Sequence, residues 1–597
     1  MALLQTKSVF QGLVLIGGVW LVPGVADAQM DLDPASIEHF QQGLQAQKAH
    51  QYGKATEEYR EVVAKNPKFA EGYLNLGIVY QLQYRYDESV KALRQALATK
   101  PDLLPANVLL GISYYMLQDF ESARKHLEKA LAQNPRERNA GIYRALTLIG
   151  MDQTDEAARQ LRHTGESYPN DIEISYDLGL AYSDGVKRSA QRLLESGRNT
   201  ALYEWATGIS ADRKNETAGA LVHYLKALQI DPNIPQLYLR AAALFESAGF
   251  PALAQEAAGR FSSNEARSDS AAVTPTATNE HQEKRDYLVL WSQLRQVQPD
   301  QSLPKIADTA INKLVREQMS LDQAGVLHAA VQAYEKRDFA GAEALLQTAA
   351  KAPANHWVYA YLLARCYTSQ GDFEAAENVI EGPLAAASGI PSVVFLKLEV
   401  QSELALRCYD AVLSKKPEST AARILRAKSL AAANHPDEGI EEYRSVLASQ
   451  PDLPGVHLGI AQIYADQLNW SGAIEELHKE LDVNPENGLA LALLGHACAE
   501  SDQAEEAVPI LTKVLARYPR DANALADLGK SFAQKGNSDI AIHYFERAVE
   551  YDPSRYKIHY RLFQLYQAAG RTELARKHLT AFQAEDAKHR ADAVVIR

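Results

Sequence analysis

Proline recurs every 34 residues in two separate parts of this 597-residue chain. The first series is Pro67, Pro101, Pro135 and Pro169, and the second is Pro417, Pro451, Pro485, Pro519 and Pro553. A fixed period of this length indicates that one small structural element is repeated along the chain. Because such repeats stack on their neighbours, they offer an extended surface for binding rather than a catalytic pocket.

Small residues accompany each proline at two fixed offsets. In the first series they are Gly43, Gly77, Gly111 and Ala145, followed 12 residues later by Ala55, Ser89, Ala123 and Ala157. The second series repeats this pattern, and the apolar residues between these points fall at helical spacing. Proline ends a helix because it lacks the backbone N–H. Each repeat is therefore predicted to be an antiparallel pair of helices whose backbones approach closely at the small residues.

The stretch from Glu71 to Pro101 resembles the tetratricopeptide repeat (TPR) family at its aromatic, Leu-Gly, Tyr, small, Ala and Pro positions. The resemblance implies an all-α fold, an α-α superhelix made of two arrays of helix pairs joined by a linker. With the small residue of the first helix as position 8, the repeats start at Ser36, Ala70, Leu104, Arg138, Ile172, Ala201 and Pro235, then at about Gln323, Trp357, Ala386, Thr420, Pro454, Gly488, Ala522 and Tyr556. The Ile172 repeat is shortened and the Ala386 repeat is degenerate. Phe563 replaces a small residue, as suits a terminal capping repeat.

Composition divides the chain into five segments. Residues 1–28 combine Lys7, an apolar stretch and the A-x-A motif that ends at Ala28, which is typical of a secretory signal peptide. The alternative is an uncleaved membrane anchor, for which the apolar stretch is short. A first array over 35–261 follows, then a flexible linker over 262–285 that is poor in large apolar residues, an atypical helical pair over 286–322 and a second array over 323–589. We expect the two arrays to fold separately; the alternative is one continuous superhelix.

No motif in the sequence indicates catalysis. HExxH, Gly-rich phosphate loops and G-x-S-x-G are all missing, and the histidines are scattered without metal-ligand spacing supported by carboxylates. We read Glu57-Glu58 and Glu475-Glu476 as solvated faces of second helices. The three cysteines are expected to be buried thiols, with a Cys366–Cys408 bridge as the alternative. The chain is therefore predicted not to be an enzyme and to need no cofactor or metal.

The net charge of −13, without a long basic run, argues against nucleic acid as a principal ligand. The family resemblance instead implies protein or peptide partners, held in a concave groove lined by first-helix residues such as those at positions 5 and 9. In the first array these positions form an apolar row, which consists of Phe40, Leu44, Leu74, Ile78, Val108, Ile112, Ile142, Leu146, Tyr176, Leu180, Trp205 and Ile209. In the second array position 9 forms a polar row, which consists of Lys428, Gln462, His496, Lys530 and Gln564.

These features predict an exported scaffold, periplasmic or secreted, that binds partner segments in its groove and is not inserted in a membrane after signal cleavage. Two alternatives stay open, an assembly or export factor of the cell envelope and an accessory subunit of an enzyme. The apolar row is open to two interpretations as well. It is either a binding surface or the interior of an array that fills its own groove.

Overall fold

The computed structural model describes residues 32–195, 197, 200–213, 216–262, 290–291, 293–294, 306–322, 325–350, 357–553 and 555–595. The predicted signal peptide and all but the first residue of the predicted linker lie outside these residues. Within the described ranges the regular structure is helical and no strand occurs. The described helices include none that is both long enough and apolar enough to cross a membrane.

The described residues before the predicted linker form thirteen helices. They are α1 (Pro34–Lys48), α2 (Tyr52–Lys65), α3 (Ala70–Leu82), α4 (Tyr86–Thr99), α5 (Leu104–Met116), α6 (Phe120–Gln133), α7 (Arg138–Gly150), α8 (Thr154–Ser167), α9 (Ile172–Glu195), α10 (Ala201–Arg213), α11 (Thr217–Ile230), α12 (Pro235–Ser247) and α13 (Pro251–Ser262). From Ala70 to Pro235 each first helix begins at the residue predicted from the repeat register.

The helices described after the linker continue the same alternation. They are α14 (Thr309–Leu321), α15 (Val326–Glu335), α16 (Phe339–Ala350), α17 (Trp357–Gln370), α18 (Phe373–Glu381), α19 (Pro391–Lys415), α20 (Thr420–Ala432), α21 (Pro436–Ser449), α22 (Val456–Asp466), α23 (Trp470–Val483), α24 (Gly488–Glu500), α25 (Ala504–Arg517), α26 (Ala522–Gln534), α27 (Ser538–Tyr551), α28 (Tyr556–Ala568) and α29 (Thr572–Val595). The predicted all-α repeat architecture is confirmed.

Where glycine is the small residue of a regular repeat, it accepts a large side chain from the second helix of the same repeat. A Cβ atom added to Gly77 would lie 2.6 Å from Cγ of Leu93, and one added to Gly111 would lie 2.5 Å from Cγ of Leu127. Both leucines are fully buried. The helix pairs therefore cross as closely as the sequence pattern predicts, because no side chain separates the backbones at the crossing.

The turn inside a repeat has a recurring left-handed residue. His50, Tyr84, Gln118, Asp152, Asn434, Leu468 and Asp502 all have positive φ at equivalent positions, where the last two repeats carry Gly536 and Gly570. At Tyr84 the backbone N–H donates to the carbonyl of Gln81, and the next N–H, of Arg85, donates to the carbonyl of Tyr80. This is the Schellman arrangement that ends helices, and it usually places glycine at the left-handed position.

The two irregular repeats are each dominated by one long helix. The shortened repeat is the 24-residue α9, and the degenerate one is a 3₁₀ turn at Ala385–Ala387 followed by the 25-residue α19. These helices pack on each other, because the ring of Tyr409 lies against Gly179 and its hydroxyl lies 2.9 Å from Oγ of Ser183.

The described residues form two compact units, each of which includes residues from both sides of the linker. The first unit comprises the described parts of 1–152, 167–169 and 415–597, and the second comprises those of 153–166 and 170–414. In the first unit the Tyr84 hydroxyl donates to the carbonyl of Asp452 at 3.2 Å. This division differs from the expected one at 262–285, because long-range contacts join residues that the linker separates in sequence. The limits of the two arrays along the chain stay a prediction.

A buried ionic network lies within the second unit. The guanidinium of Arg162 binds Glu377 and, at 2.9 Å, Oε2 of Glu381, while the Tyr182 hydroxyl donates to Glu377 at 2.7 Å. Burial, opposed by the charge of Arg162, raises the pKa of Glu377 to about 7. Next to it, Asp155 binds Lys397 and accepts a hydrogen bond from Gln401.

All three cysteines are free thiols. Cys366 and Cys498 are buried and Cys408 is partly buried. Burial raises the pKa of each thiol to about 12. The expectation of buried thiols holds for two of them, and the alternative Cys366–Cys408 bridge is not formed.

Candidate functional site

Most of the apolar row is interior. Nine of its side chains are at most 5% exposed, namely Phe40, Leu74, Ile78, Val108, Ile112, Ile142, Leu146, Tyr176 and Trp205. The remaining three, Leu44, Leu180 and Ile209, are partly buried. A partner would reach the nine buried side chains only after the array opens. This burial fits the alternative interpretation of an array that fills its own groove, and partner binding by the row stays a prediction.

The apolar row is also divided among separate cores. Phe40 packs against Tyr59 and Phe69, with ring centroids 5.6 and 5.4 Å away. Leu74 and Ile78 belong to another core, together with Leu93 and residues of α5. Trp205 lies in a third core, 4.1 Å from the ring of Phe395. The row therefore does not form one continuous apolar surface.

The polar row of the second array keeps solvent access along its whole length. Gln462 and Gln564 are exposed, and Lys428, His496 and Lys530 are partly buried. All five lie on first helices, α20, α22, α24, α26 and α28, at the same position of successive repeats. These side chains can donate hydrogen bonds, and the lysines add positive charge, which suits polar or anionic segments.

At the centre of the polar row, His496 and Lys530 each pair with a different carboxylate. Nδ1 of His496 lies 3.0 Å from Oδ2 of Asp527, and Nζ of Lys530 lies 2.9 Å from Oε2 of Glu500. His496 and Glu500 are one turn apart on α24, and Asp527 and Lys530 share a face of α26. The four side chains therefore connect the first helices of two successive repeats.

The environment of His496 favours its protonated form. Burial by itself lowers the pKa of His496, but the hydrogen bond with Asp527 and the negative charges of Asp527 and Glu500 outweigh burial. The net effect is a raised pKa. The ring of Trp470 stands edge-on to the imidazole of His496, with centroids 5.5 Å apart.

Three histidines have carboxylate partners that the sequence analysis did not identify. His39 pairs with Glu58 at 2.8 Å, His223 with Glu204 at 2.7 Å and His457 with Glu476 at 2.6 Å. Each pair joins the two helices of one repeat, across 19 residues of sequence. Glu57 and Glu475 are exposed as predicted, whereas Glu58 and Glu476 turn towards histidine. The recurring spacing is a signal that could have identified these pairs.

Glu500 and Asp527 are the residues of the central cluster that the sequence prediction omitted. Glu500 follows His496 by four residues, a spacing that places both on one helical face. Asp527 has no such local signal, because it approaches His496 only through the stacking of one repeat on the next.

The fold defines a helical repeat scaffold of the kind that binds other proteins. The family described as tetratricopeptide repeat matches the chain at residues 40–103, 81–141, 114–178, 333–389, 401–454, 458–524 and 532–595, which together cover more than half of its length. This chain belongs to the tetratricopeptide repeat family, whose members are non-enzymatic protein-interaction modules.

Individual relatives are distant. The chain is similar to the BBSome complex member BBS4 of Bos taurus, with 26% identity over 203 residues, which are 33% of this chain and 38% of that protein. Among solved structures, it is similar to MamA 41-end from Desulfovibrio magneticus RS-1 (20% identity, 28% of this chain and 94% of the other, TM-score 0.27). It is also similar to YrrB, described as a TPR protein with an unusual peptide-binding site (21% identity, 30% of this chain and 93% of the other, TM-score 0.27).

Proposed function

We propose that this protein is an exported scaffold that binds polar or acidic segments of partner proteins along the polar row of its second array. One observation carries the proposal: the five polar side chains keep solvent access at equivalent positions of successive repeats, whereas the apolar row is mostly buried. A regular spacing of donors suits an extended peptide, whose polar groups also recur along its length.

Site-directed photocross-linking in the native host tests this binding surface. The photoreactive residue p-benzoylphenylalanine replaces Gln462 or Gln564, both exposed members of the polar row. The matched control replaces Glu475, which is also exposed but lies on the second helix α23. We expect partner peptides to be captured at the two glutamine positions and not at Glu475. Equal capture at all three positions, or capture at Glu475 alone, would remove the polar row from the proposal.

The export part of the proposal rests on the signal-like composition of residues 1–28. Mass spectrometry of the protein from its native host tests it independently of binding. We expect a mature chain that begins at Gln29 and is found outside the cytoplasm. An intact Met1 terminus on cytoplasmic protein would contradict export and leave the binding surface untouched.

A role as a subunit of a larger assembly is the second candidate. The similarity to BBS4, whose name makes it a member of a complex, favours this candidate. The captured partners separate the two functions. Capture of the same envelope-assembly proteins each time, in stoichiometric amounts, would indicate a subunit of an assembly. Capture of many different soluble proteins would indicate a scaffold.

A further inference from the structure

The cluster of His496, Glu500 and Asp527 gathers three side chains that bind metals. One ligand atom from each residue lies within 4.8 Å of the other two. An imidazole nitrogen with two carboxylate oxygens is a donor set that suits zinc and similar divalent transition metals, whereas calcium and magnesium prefer oxygen alone. Among the described residues, no other group of three such side chains converges in this way.

One separation in the cluster is already close to that around a coordinated ion. In a tetrahedral zinc site with bonds of about 2.0–2.1 Å, neighbouring ligand atoms are about 3.3 Å apart. Nδ1 of His496 and Oδ2 of Asp527 are 3.0 Å apart, so an ion would replace their hydrogen bond with a small outward movement. Glu500 is about one third exposed and can rotate to complete the set.

A positively charged side chain already lies beside Glu500, one of the three ligand residues. The ammonium group of Lys530 lies 2.9 Å from Oε2 of Glu500, where it offsets one of the two carboxylate charges. A bound ion would have to displace this ammonium group from Glu500, and Lys530 would then become a competing like charge nearby. The lysine therefore weakens metal binding without removing any ligand.

We propose that His496, Glu500 and Asp527 form a binding site for one zinc-class divalent ion, which links helices α24 and α26 of successive repeats. Water completes the fourth coordination position, as in zinc sites with three protein ligands. Because the ion binds the folded array, it stabilises the stacking of these two repeats in proportion to its concentration.

Titration calorimetry of the full-length protein with zinc chloride tests the site, with thermal melting as a second measurement. We expect the parent protein to bind zinc and its melting temperature to rise on binding. The variants His496→Ala and Glu500→Gln should each bind one zinc ion fewer than the parent protein. Glu500→Gln keeps the size of the side chain, so its loss of binding does not depend on the packing of His496. Lys530→Met should bind zinc about tenfold more tightly, because it removes a like charge at short range.

His457→Ala is the matched control. His457 also pairs with one carboxylate, Glu476, but belongs to no three-ligand group among the described residues. We expect this variant to keep the full zinc stoichiometry, so that adventitious binding to surface histidines is distinguished from the site. Equal titrations for the parent, His496→Ala and Glu500→Gln would overturn the proposal. Zinc binding by Lys530→Met but not by the parent protein would also overturn the proposal, because Lys530 would then prevent zinc binding in the natural chain.

Discussion

The first compact unit keeps the 34-residue period throughout, whereas the second contains both of the long helices that interrupt it. In the first unit, helix pairs such as α3–α4 and α5–α6 are built around the same glycine–leucine contact. In the second unit, α9 and α19 replace helix pairs, and residues more than 200 positions apart meet around Arg162 and Glu377. Regular repeats are thus held by local apolar contacts, and the irregular region adds buried ion pairs over long range.

The largest expected effect tests the buried ion pairs of the second unit. Arg162→Met leaves Glu377 and Glu381 buried without their shared guanidinium, which should lower the free energy of unfolding by about 3–5 kcal/mol. Arg426→Met in the first unit removes a partly exposed partner of Glu442 and should cost less than about 1 kcal/mol. Chemical denaturation of both variants measures the difference. Similar losses of unfolding free energy for the two variants would contradict this difference between the units.

The part of the apolar row that lies in the first unit should be nearly as sensitive. Ile112→Ser replaces a 5% exposed side chain and introduces a hydroxyl into the core. We expect a loss of about 3 kcal/mol, because a cavity and a buried polar group act together. Gln462→Ser, on the exposed polar row, should change stability by less than about 0.5 kcal/mol. A thermal shift compares them. An unchanged melting temperature for Ile112→Ser would show that this row is open to solvent.

The pH dependence of stability should differ between the two units. The pKa of Glu377 is raised from its ordinary 4.5 to about 7 by burial, so its neutral form is favoured in the folded state. The stability that this neutral carboxyl contributes is fully present below pH 4.5 and is lost as pH rises through about 7, with a total of about 3 kcal/mol. Denaturation of the parent and Glu377→Gln between pH 5 and 8 measures it. The variant should lack this slope, and a slope that persists in it would assign the effect to another group.

The smallest effect concerns two exposed leucines. Leu468 has a φ of 58° at the end of a first helix. Leu468→Gly should relieve the strain of this left-handed conformation, but glycine also loses more conformational entropy on folding. The net result should be a stabilisation of the first unit by about 0.5 kcal/mol. Leu406 lies inside α19 of the second unit, where Leu406→Gly should destabilise by about 1 kcal/mol. Opposite signs in melting experiments are the expected result. Destabilisation by Leu468→Gly would show that the turn tolerates leucine without strain.

The repeat pattern predicted the helices well because it depends on local chemistry. Gly77 and Leu93 are 16 residues apart, and their contact follows from the geometry of one helix pair. The start of first helices at Ala70, Leu104 and Gly488 followed from the same register. The left-handed turn residues were less visible, since Tyr84 and Leu468 stand where glycine is usual.

The candidate site was predicted in part. His496 and Lys530 were selected because position 9 repeats in sequence, whereas Asp527 joins His496 only when successive repeats stack. The pairing of His39 with Glu58 was missed, although the same 19-residue spacing joins His457 to Glu476. Side chains that meet between different repeats depend on packing angles, which sequence spacing does not specify.

The sequence by itself determined the repeated helix pair, its register and the contrast between an apolar and a polar position 9. These features depend on helical periodicity and on the steric limits of glycine and proline, which act within one repeat. The tertiary structure alone decided that the apolar row is mostly buried, that both compact units include residues from each side of the linker and that Arg162 reaches Glu377. Those outcomes depend on how distant repeats pack, because burial and ion pairing are properties of surfaces that meet only after the helices have formed.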